Sequence, residues 1–292
     1  MKISEIISEI VNDFKKNNIN NPQLEALAIA SFVLKITPEK IIGHSEKKIN
    51  PQSIKKIRKI YKKRLENWPL AYLIGKKNFY NLEFKVDKNV LIPRPESELI
   101  IDEVLKNDFS KEKTIIIDVG TGSGCLIITL ADLLKKDGNI CFLAIDKSRK
   151  ALKIARQNAK KHNLRDKIKF IKGNLLKPID KKIIEKETNI IIIANLPYLT
   201  KKEIRNSASI KKEPRKALYG GRDGLKYYEK LWKQIKKLKN KNSKIIVYQE
   251  INDWQVENLE KIITKKMKPT KPHSKITEDL FKQRRLIITT LE

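Results

Sequence analysis

Apolar residues recur along this chain with two different periods, and the change falls near residue 70. In the first stretch Ile3, Ile6, Ile7, Ile10, Val11 and Phe14 return every three or four positions, the spacing of one helix face. After the break Asn20-Asn21-Pro22 the spacing resumes with Leu24, Leu27, Ala28, Ser31 and Leu34. Pro38 opens a short helix, and after Asn50-Pro51 a last one carries Ile54, Ile57, Tyr61, Leu65 and Trp68. These predict a small helical bundle. Its last helix has a basic outer face of Lys55, Lys56, Arg58, Lys59, Lys62, Lys63 and Arg64, either simply solvated or a docking surface for an acidic partner. Over residues 71–92 the period drops to two. Phe79, Leu82, Phe84, Val86 and Val90-Leu91-Ile92 predict two short strands with turns at Asn81 and Asp87-Lys88, a connecting hairpin. Two prolines in Pro93-Arg94-Pro95-Glu96-Ser97-Glu98 hold an extended arm. Ser97 or Glu98 then begins a helix containing Leu99, Ile100, Ile101 and Val104.

From Thr114 onward buried strands alternate with amphipathic helices, the signature of a parallel sheet covered on both faces. The strands are Thr114–Val119, Ile140–Ile145, Ile168–Ile171, the isoleucine run Ile190–Ala194, and Ser243–Gln249 ending at Glu250. Helices are expected over Cys125–Leu134, along the stripe Ala151, Leu152, Ala155 and Ala159, and over Tyr227–Leu238. The tail offers a closing pair of strands at His273–Thr277 and Leu286–Thr290.

Candidate chemistry collects where these strands end, the place at which open α/β sheets bind ligands. The first strand runs through Asp118 into Gly120-Thr121-Gly122-Ser123-Gly124 and then a helix. Glycines there let the backbone pass close to a ligand at a helix N-terminus. The loop lacks the widely spaced last glycine of the dinucleotide fingerprint and the Gly-Lys-Ser/Thr of a phosphate loop. An acid just before the first glycine disfavours a pyrophosphate, so S-adenosylmethionine, with an amino group and a positive sulfur, fits better. Asp146 at the next strand end can accept from both ribose hydroxyls, and Asn174 after the third can bond an adenine amino group. The isoleucine strand stops at Asn195-Leu196-Pro197-Tyr198, where a carboxamide, a freed backbone carbonyl and an aromatic ring stand together. Such a set suits an amide or aromatic-amine NH2 substrate. Gly220-Gly221 and Gly224 make a flexible or tightly turned loop where a substrate lid would fall.

Composition changes this picture little. Of 292 residues 40% are hydrophobic, enough for one large domain and a small one. The formal net charge of +30 invites a nucleic-acid or ribosome contact through the basic surface, although the lysines are spread over the whole sequence. Cys125 and Cys141 fall in core segments and read as reduced, buried residues of a cytoplasmic protein. His44, His162 and His273 form no metal or triad pattern, so no metal is expected. No signal-peptide core and no apolar run of membrane length occurs, which excludes a membrane partner.

Taken together, the sequence resembles the HemK/PrmC family, the protein-(glutamine-N5) methyltransferases of peptide chain release factors. The resemblance rests on Trp68–Gly75, Phe79-Tyr80, Leu91–Glu98, Asp118–Gly124, Asp146, Asn195–Tyr198 and Glu213–Leu218 with Gly220-Gly221 and Asp223-Gly224-Leu225, then Glu250-Ile251 and Asp279-Leu280 with Arg285. It implies an α/β protein: a Rossmann-like class I methyltransferase sheet of seven strands, the last antiparallel, behind a small helical N-terminal domain. The expected division is residues 1–72 for substrate recognition, 73–98 as hairpin linker and 99–292 as catalytic domain. It further implies S-adenosylmethionine held by Asp118, Gly120, Thr121, Gly122, Ser123, Gly124, Asp146, Asn174 and Asn195. The glutamine of a release factor's Gly-Gly-Gln loop would be held by Asn195, Leu196, Pro197 and Tyr198, with Arg94 and Glu98 on the substrate arm. A monomer is expected. The sequence departs from the family pattern at Leu196, where the first Pro of Asn-Pro-Pro-Tyr is usual, at Asn174 in place of Asp, and at Asn252 and Lys282 in place of Gly. Asn-Leu-Pro-Tyr looks more like the ribosomal-RNA adenine dimethyltransferases. The rival readings are therefore an adenine-N6 methyltransferase on ribosomal RNA or DNA, a glutamine methyltransferase of a ribosomal protein, and a protein that binds cofactor or ribosome without catalysis.

Overall fold

A computed structural model describes residues 1–110, 112–179, 189–239 and 243–292. They form two compact units, Met1–Lys76 with Ala208–Lys212, and Lys77–Ser207 with Glu213–Glu292.

The first unit is helical: α1 (Ile3–Lys16), α2 (Pro22–Leu34), α3 (Pro38–Gly43), α4 (Pro51–Leu65) and α5 (Leu70–Ile74). Prolines stand at the first position of α2, α3 and α4, and the Thr37 and Asn50 side chains cap α3 and α4. Ile3, Ile6, Ile10 and Phe14 of α1 pack with Ile57 and Tyr61 of α4, as their spacing predicts. In α2 the buried positions are Ala26, Ile29 and Ala30, while Leu24 is exposed. That helix is apolar around most of its circumference, so periodicity did not mark its inward face. Arg58 and Arg64, read as part of an outer basic face, reach back to Glu9 and Glu25.

The second unit begins within the hairpin of β1 (Lys76–Phe79) and β2 (Leu82–Lys85). Tyr80 and Asn81 both have positive φ at its two-residue turn, as the right-handed strand twist favours. Val90–Ile92, counted with the period-two stretch, is irregular, because the prolines that follow keep it out of a ladder. A 3-10 turn, Pro95–Ser97, leads into α6 (Glu98–Val104).

The remaining elements are β3 (Thr114–Val119), α7 (Cys125–Leu133), β4 (Ile140–Asp146), α8 (Arg149–Lys161), β5 (Ile168–Lys172), β6 (Asn189–Ala194), α9 (Lys201–Asn206), α10 (Arg215–Leu218), α11 (Lys226–Leu238), β7 (Ile245–Glu250), α12 (Val256–Met267), β8 (His273–Glu278) and β9 (Arg284–Leu291). Among the described residues seven strands form one sheet, in the order β5-β4-β3-β6-β7-β9-β8. β5, β4, β3, β6 and β7 are parallel, and the last strand, β9, runs against both its neighbours. The isoleucine run is explained by the two faces. Ile190, Ile192 and Ala194 pack with α11 and α12, whereas Ile191 and Ile193 pack with α6 and α7. A strand buried on both sides needs no polar alternation.

The expectation of two buried cysteines changes. Cys125 is half-buried and Cys141 exposed; β5 pairs with β4 only from Phe142 onward, so Cys141 lies beyond the end of that neighbour. Lys282 takes φ 59° in the β8–β9 turn, a left-handed backbone that a glycine adopts at lower cost. The turn forms nonetheless, with Lys282 N–H donating to the Asp279 carbonyl. Among the described residues no helix is long and apolar enough to cross a membrane.

Asn158, fully buried in α8, joins three segments. Its Oδ1 accepts from Lys85 N (2.7 Å), and its Nδ2 donates to Lys85 O (3.0 Å) and to Ser123 O (2.8 Å). Asn158→Ala is expected to cost about 2–3 kcal/mol, since it strands polar groups on the hairpin and the glycine loop at once. Urea unfolding measures this, and an unchanged midpoint would contradict it.

Candidate active site

The parallel strands deliver their last residues to one edge of the sheet. Asp118 and the glycine loop leave β3, Asp146 ends β4, Gly173-Asn174 follows β5, Asn195 follows β6 and Glu250 ends β7. The cofactor residues read from sequence are therefore neighbours. Gly120 and Thr121 donate their N–H groups to the Ile145 carbonyl (2.8 and 3.0 Å), and Gly173 N–H donates to the Asp146 carbonyl (3.0 Å). The Asp146 carboxylate accepts from Gly122 N (3.0 Å) and Ser148 N (2.7 Å), which fixes it beside the loop.

Gly120 has φ 81°, and a Cβ there would sit 3.1 Å from Leu196 Cδ2. The first glycine thus serves the turn and also makes room for the turn that follows β6. Around Gly122 a Cβ would meet nothing nearer than 3.8 Å, so the loop leaves an open cradle. Asp118 is buried and accepts from Thr121 Oγ1 at 2.6 Å. Burial, with a smaller contribution from the Asp146 charge, pushes its carboxyl up to about 7. Burial likewise raises Asp146 above the usual range. One buried and one half-buried acid beside an open glycine loop fit a cationic amino acid joined to a nucleoside better than a phosphate. The donor set therefore suits S-adenosylmethionine.

The turn after β6 is held by side chains from three directions. Asn195 donates its Nδ2 to Ser97 Oγ and to Glu250 Oε2, both at 2.8 Å. Ser97 donates to the same Glu250 oxygen at 2.5 Å, and Tyr198 donates its hydroxyl to Glu250 Oε1 at 3.1 Å. Glu250 is 1% exposed, and burial raises its carboxyl, opposed by the Ser97 and Tyr198 hydrogen bonds and by the charge of Arg285. Arg285 is itself fixed by Asp279 (3.2 Å) and Asn252 (3.1 Å). Burial, with the Glu250 charge, holds the Tyr198 phenol well above its ordinary value. Among the described residues no donor is bonded to Asn195 Oδ1 or to the Leu196 carbonyl. The Asn195 amide thus has both its N–H groups occupied and its oxygen free.

Leu196 differs from a proline by an N–H that must be satisfied. That N–H donates to the Tyr228 hydroxyl at 3.3 Å, and the same hydroxyl donates to the Glu250 carbonyl. The Leu196 side chain is 3% exposed and belongs to the core between the sheet and α11. Both consequences of the substitution are absorbed.

The segment expected as a lid is a packed brace. Gly220 N–H donates to the Leu199 carbonyl, and Leu199 N–H to the Leu218 carbonyl, both at 2.9 Å. A Cβ on Gly220 would fall 2.4 Å from the Pro197 carbonyl, and one on Gly224 2.0 Å from the Tyr198 carbonyl. Gln255, fully buried, donates Nε2 to the Tyr198 (2.9 Å) and Asp223 (3.0 Å) carbonyls. These glycines are required because backbone lies against backbone, so the segment is held shut on Pro197 and Tyr198. Arg94 is ion-paired with buried Glu213, whose other oxygen accepts from Ile92 N at 3.1 Å. Glu98 accepts from Tyr80 N at 2.9 Å and so secures the hairpin turn. Neither is brought into the Asn195–Ser97–Glu250–Tyr198 group.

Ser97, Tyr228, Gln255 and Glu250 had no site role in the sequence reading. Glu250 carried a usable signal, an acid closing the apolar strand Ile245–Gln249 where a charge must find partners. The others are separated from Asn195 by up to 98 positions in sequence, and only the fold assembles them.

Two family profiles match, one described as the PrmC N-terminal domain over residues 5–75 and one as a methyltransferase domain over 110–284. The protein is 38% identical over 240 residues to the release factor glutamine methyltransferase of Dictyoglomus turgidum, covering 80% of this sequence and 81% of that one. It is 36% identical over 287 residues to the release factor glutamine methyltransferase of Borreliella burgdorferi, covering 97% and 93%. Among solved structures, the human METTL16 catalytic domain in complex with a MAT2A 3'UTR hairpin aligns with a TM-score of 0.54 at 17% identity, covering 72% of this protein and 75% of that one. At that identity the likeness is one of fold.

Two outcomes follow from this geometry. Folded Asp118 keeps its proton up to about pH 7, whereas an unfolded aspartate loses it near 3.8. Its contribution to stability is therefore full at low pH and is lost as pH rises through 7. Asp118→Asn should flatten that slope, raise the melting temperature of the cofactor-free protein at pH 8, and weaken S-adenosylmethionine binding in calorimetry. An unchanged slope contradicts the assignment. Tyr228→Phe should cost about 1–3 kcal/mol by leaving the Leu196 N–H buried and unpaired. In a Leu196→Pro background the cost should fall by at least about 0.5 kcal/mol in a double-mutant cycle, whereas strict additivity would show no coupling.

Proposed function

We propose, for a protein that belongs to the family of release factor glutamine methyltransferases, that its own substrate is the side-chain amide nitrogen of the glutamine in the Gly-Gly-Gln loop of peptide chain release factors. The enzyme is an S-adenosylmethionine-dependent methyltransferase. The supporting observation is the pair of unengaged acceptors, Asn195 Oδ1 and the Leu196 carbonyl, beside an amide whose Nδ2 is already bound to Ser97 and Glu250.

An amide nitrogen is a weak nucleophile because its lone pair is delocalised into the carbonyl. Two fixed acceptors can hold both of its N–H bonds, orient the lone pair and stabilise the positive charge that grows on nitrogen as the new bond forms. Asn195 and Leu196 supply those acceptors, Pro197 fixes the turn that follows them, and Tyr198 packs on the amide plane. Asp118, Gly120, Thr121, Gly122, Ser123, Gly124, Asp146 and Asn174 would hold S-adenosylmethionine, with Asn195 at the junction of the two sites. When bound, that cofactor supplies an electrophilic methyl group on a positive sulfur. No strong base is needed before attack, since the proton becomes acidic once the nitrogen is alkylated. The helical unit is assigned to recognition of the release factor, and the reaction to the cytoplasm. Arg94, through Glu213, is assigned to shaping the substrate arm.

Asn195→Ala is expected to lower kcat on a release factor by about 10²-fold or more, with S-adenosylmethionine affinity nearly unchanged. Methyl-transfer kinetics and calorimetry together decide this. Equal loss of both would remove Asn195 from the substrate site.

A further inference from the structure

We infer that Glu250 is the positioning residue of the transfer site, dictating which end of the Asn195 amide faces the substrate. The inference rests on the amide-methylation reading and adds to it a cause for the acceptor geometry. A carboxamide is nearly symmetric in shape, so packing alone leaves its oxygen and nitrogen interchangeable. Methyl transfer to an NH2 group tolerates only one orientation, because an outward Nδ2 would set donor against donor. The choice must come from groups behind Asn195.

Those groups are one carboxylate and one hydroxyl. Glu250 Oε2 accepts from Asn195 Nδ2 and from Ser97 Oγ, so the Ser97 proton is spent on Glu250 and its oxygen is left to accept from Asn195. Both partners of Asn195 are therefore acceptors at the point of contact. An inward Oδ1 would face a carboxylate oxygen and a hydroxyl lone pair at 2.8 Å, with no proton between them. The other carboxylate oxygen takes the Tyr198 hydroxyl, which fixes the ring meant to pack on the substrate amide. One buried anion thus sets the polarity of one substrate contact and the placement of another. A carboxylate is needed because it is the only side chain with two oxygens that accept and never donate when ionised. Burial works against that ionised form, and the Ser97 and Tyr198 hydrogen bonds, with the charge of Arg285 held by Asp279 and Asn252, work for it.

Glu250→Gln keeps size and shape but replaces one acceptor oxygen by a donor: turned towards Asn195 it sets donor against donor, and turned towards Tyr198 it takes the hydroxyl oxygen and leaves the phenol proton without its acceptor. It is expected to lower kcat by about 10²-fold, with the Michaelis constant for release factor and the S-adenosylmethionine affinity each within about threefold of wild type. A residue that merely supports the fold would lower the melting temperature and cofactor affinity instead. The orientation is also read without any substrate. The Asn195 side-chain amide protons, held by Ser97 and Glu250, should exchange with water at least about tenfold more slowly in the wild type than in Glu250→Gln. Wild-type turnover tests the substrate reading separately: if it fails to methylate the release factor, that reading fails, while the exchange result still decides the role of Glu250. A Glu250→Gln enzyme with unchanged kcat, or unchanged Asn195 exchange, overturns the inference. If that variant does not fold, Ser97→Ala decides, with about a tenfold loss of kcat at constant cofactor affinity expected and no loss overturning it.

Discussion

A buried carboxylate with three donors on it, Glu250, is the constraint around which this site is built. An ionised group so deep in a protein is tolerated only when hydrogen bonds and a compensating charge replace its water. Ser97, Asn195 and Tyr198 provide the bonds, and Arg285 the charge. Each has a second duty. Ser97 starts the helix after the proline arm, Asn195 and Tyr198 frame the proposed amide site, and Arg285 anchors the turn between β8 and β9. Satisfying one charge therefore ties separate stretches of sequence to the ends of β6 and β7.

The remainder of the edge follows from backbone economy. The turn after β6 must expose carbonyl oxygens to a substrate and still satisfy the groups it buries. Gln255 takes the Tyr198 carbonyl, Tyr228 takes the Leu196 N–H, and the segment Leu218–Gly220 pairs with Leu199. What is left over, the Leu196 carbonyl and Asn195 Oδ1, is what the proposed chemistry needs. Leu196 in place of a proline does not disable this turn, because its N–H has a hydroxyl to meet and its side chain packs against Gly120.

Much of this was legible in the sequence, for definite reasons. The isoleucine run, the glycine loop and the spacing of acids at strand ends are local patterns, and local patterns translate directly into a doubly covered parallel sheet with a cofactor edge. The inward face of α2 was not legible, since a helix apolar all round has no phase to read. Cys141 misled because a strand's burial depends on how far its neighbour extends, which sequence does not state. The glycines at 220, 221 and 224 announced a special backbone, but not whether it moves or is clamped. That distinction required seeing that the Pro197 and Tyr198 carbonyls occupy the space a side chain would take. Ser97, Tyr228 and Gln255 were invisible as site residues because serines, tyrosines and glutamines gain such roles only through contacts distant in sequence.

The most direct test of the account is the fate of a labelled methyl group. Purified enzyme would be given tritiated S-adenosylmethionine with a release factor, with that factor carrying Gln→Ala in its Gly-Gly-Gln loop, and with deproteinised ribosomal RNA in parallel. The account predicts label in the release factor, loss of it in the Gln→Ala protein, and none in the RNA. Label in the RNA alone would contradict it and turn the acceptors at Asn195 and Leu196 into a site for an aromatic amine.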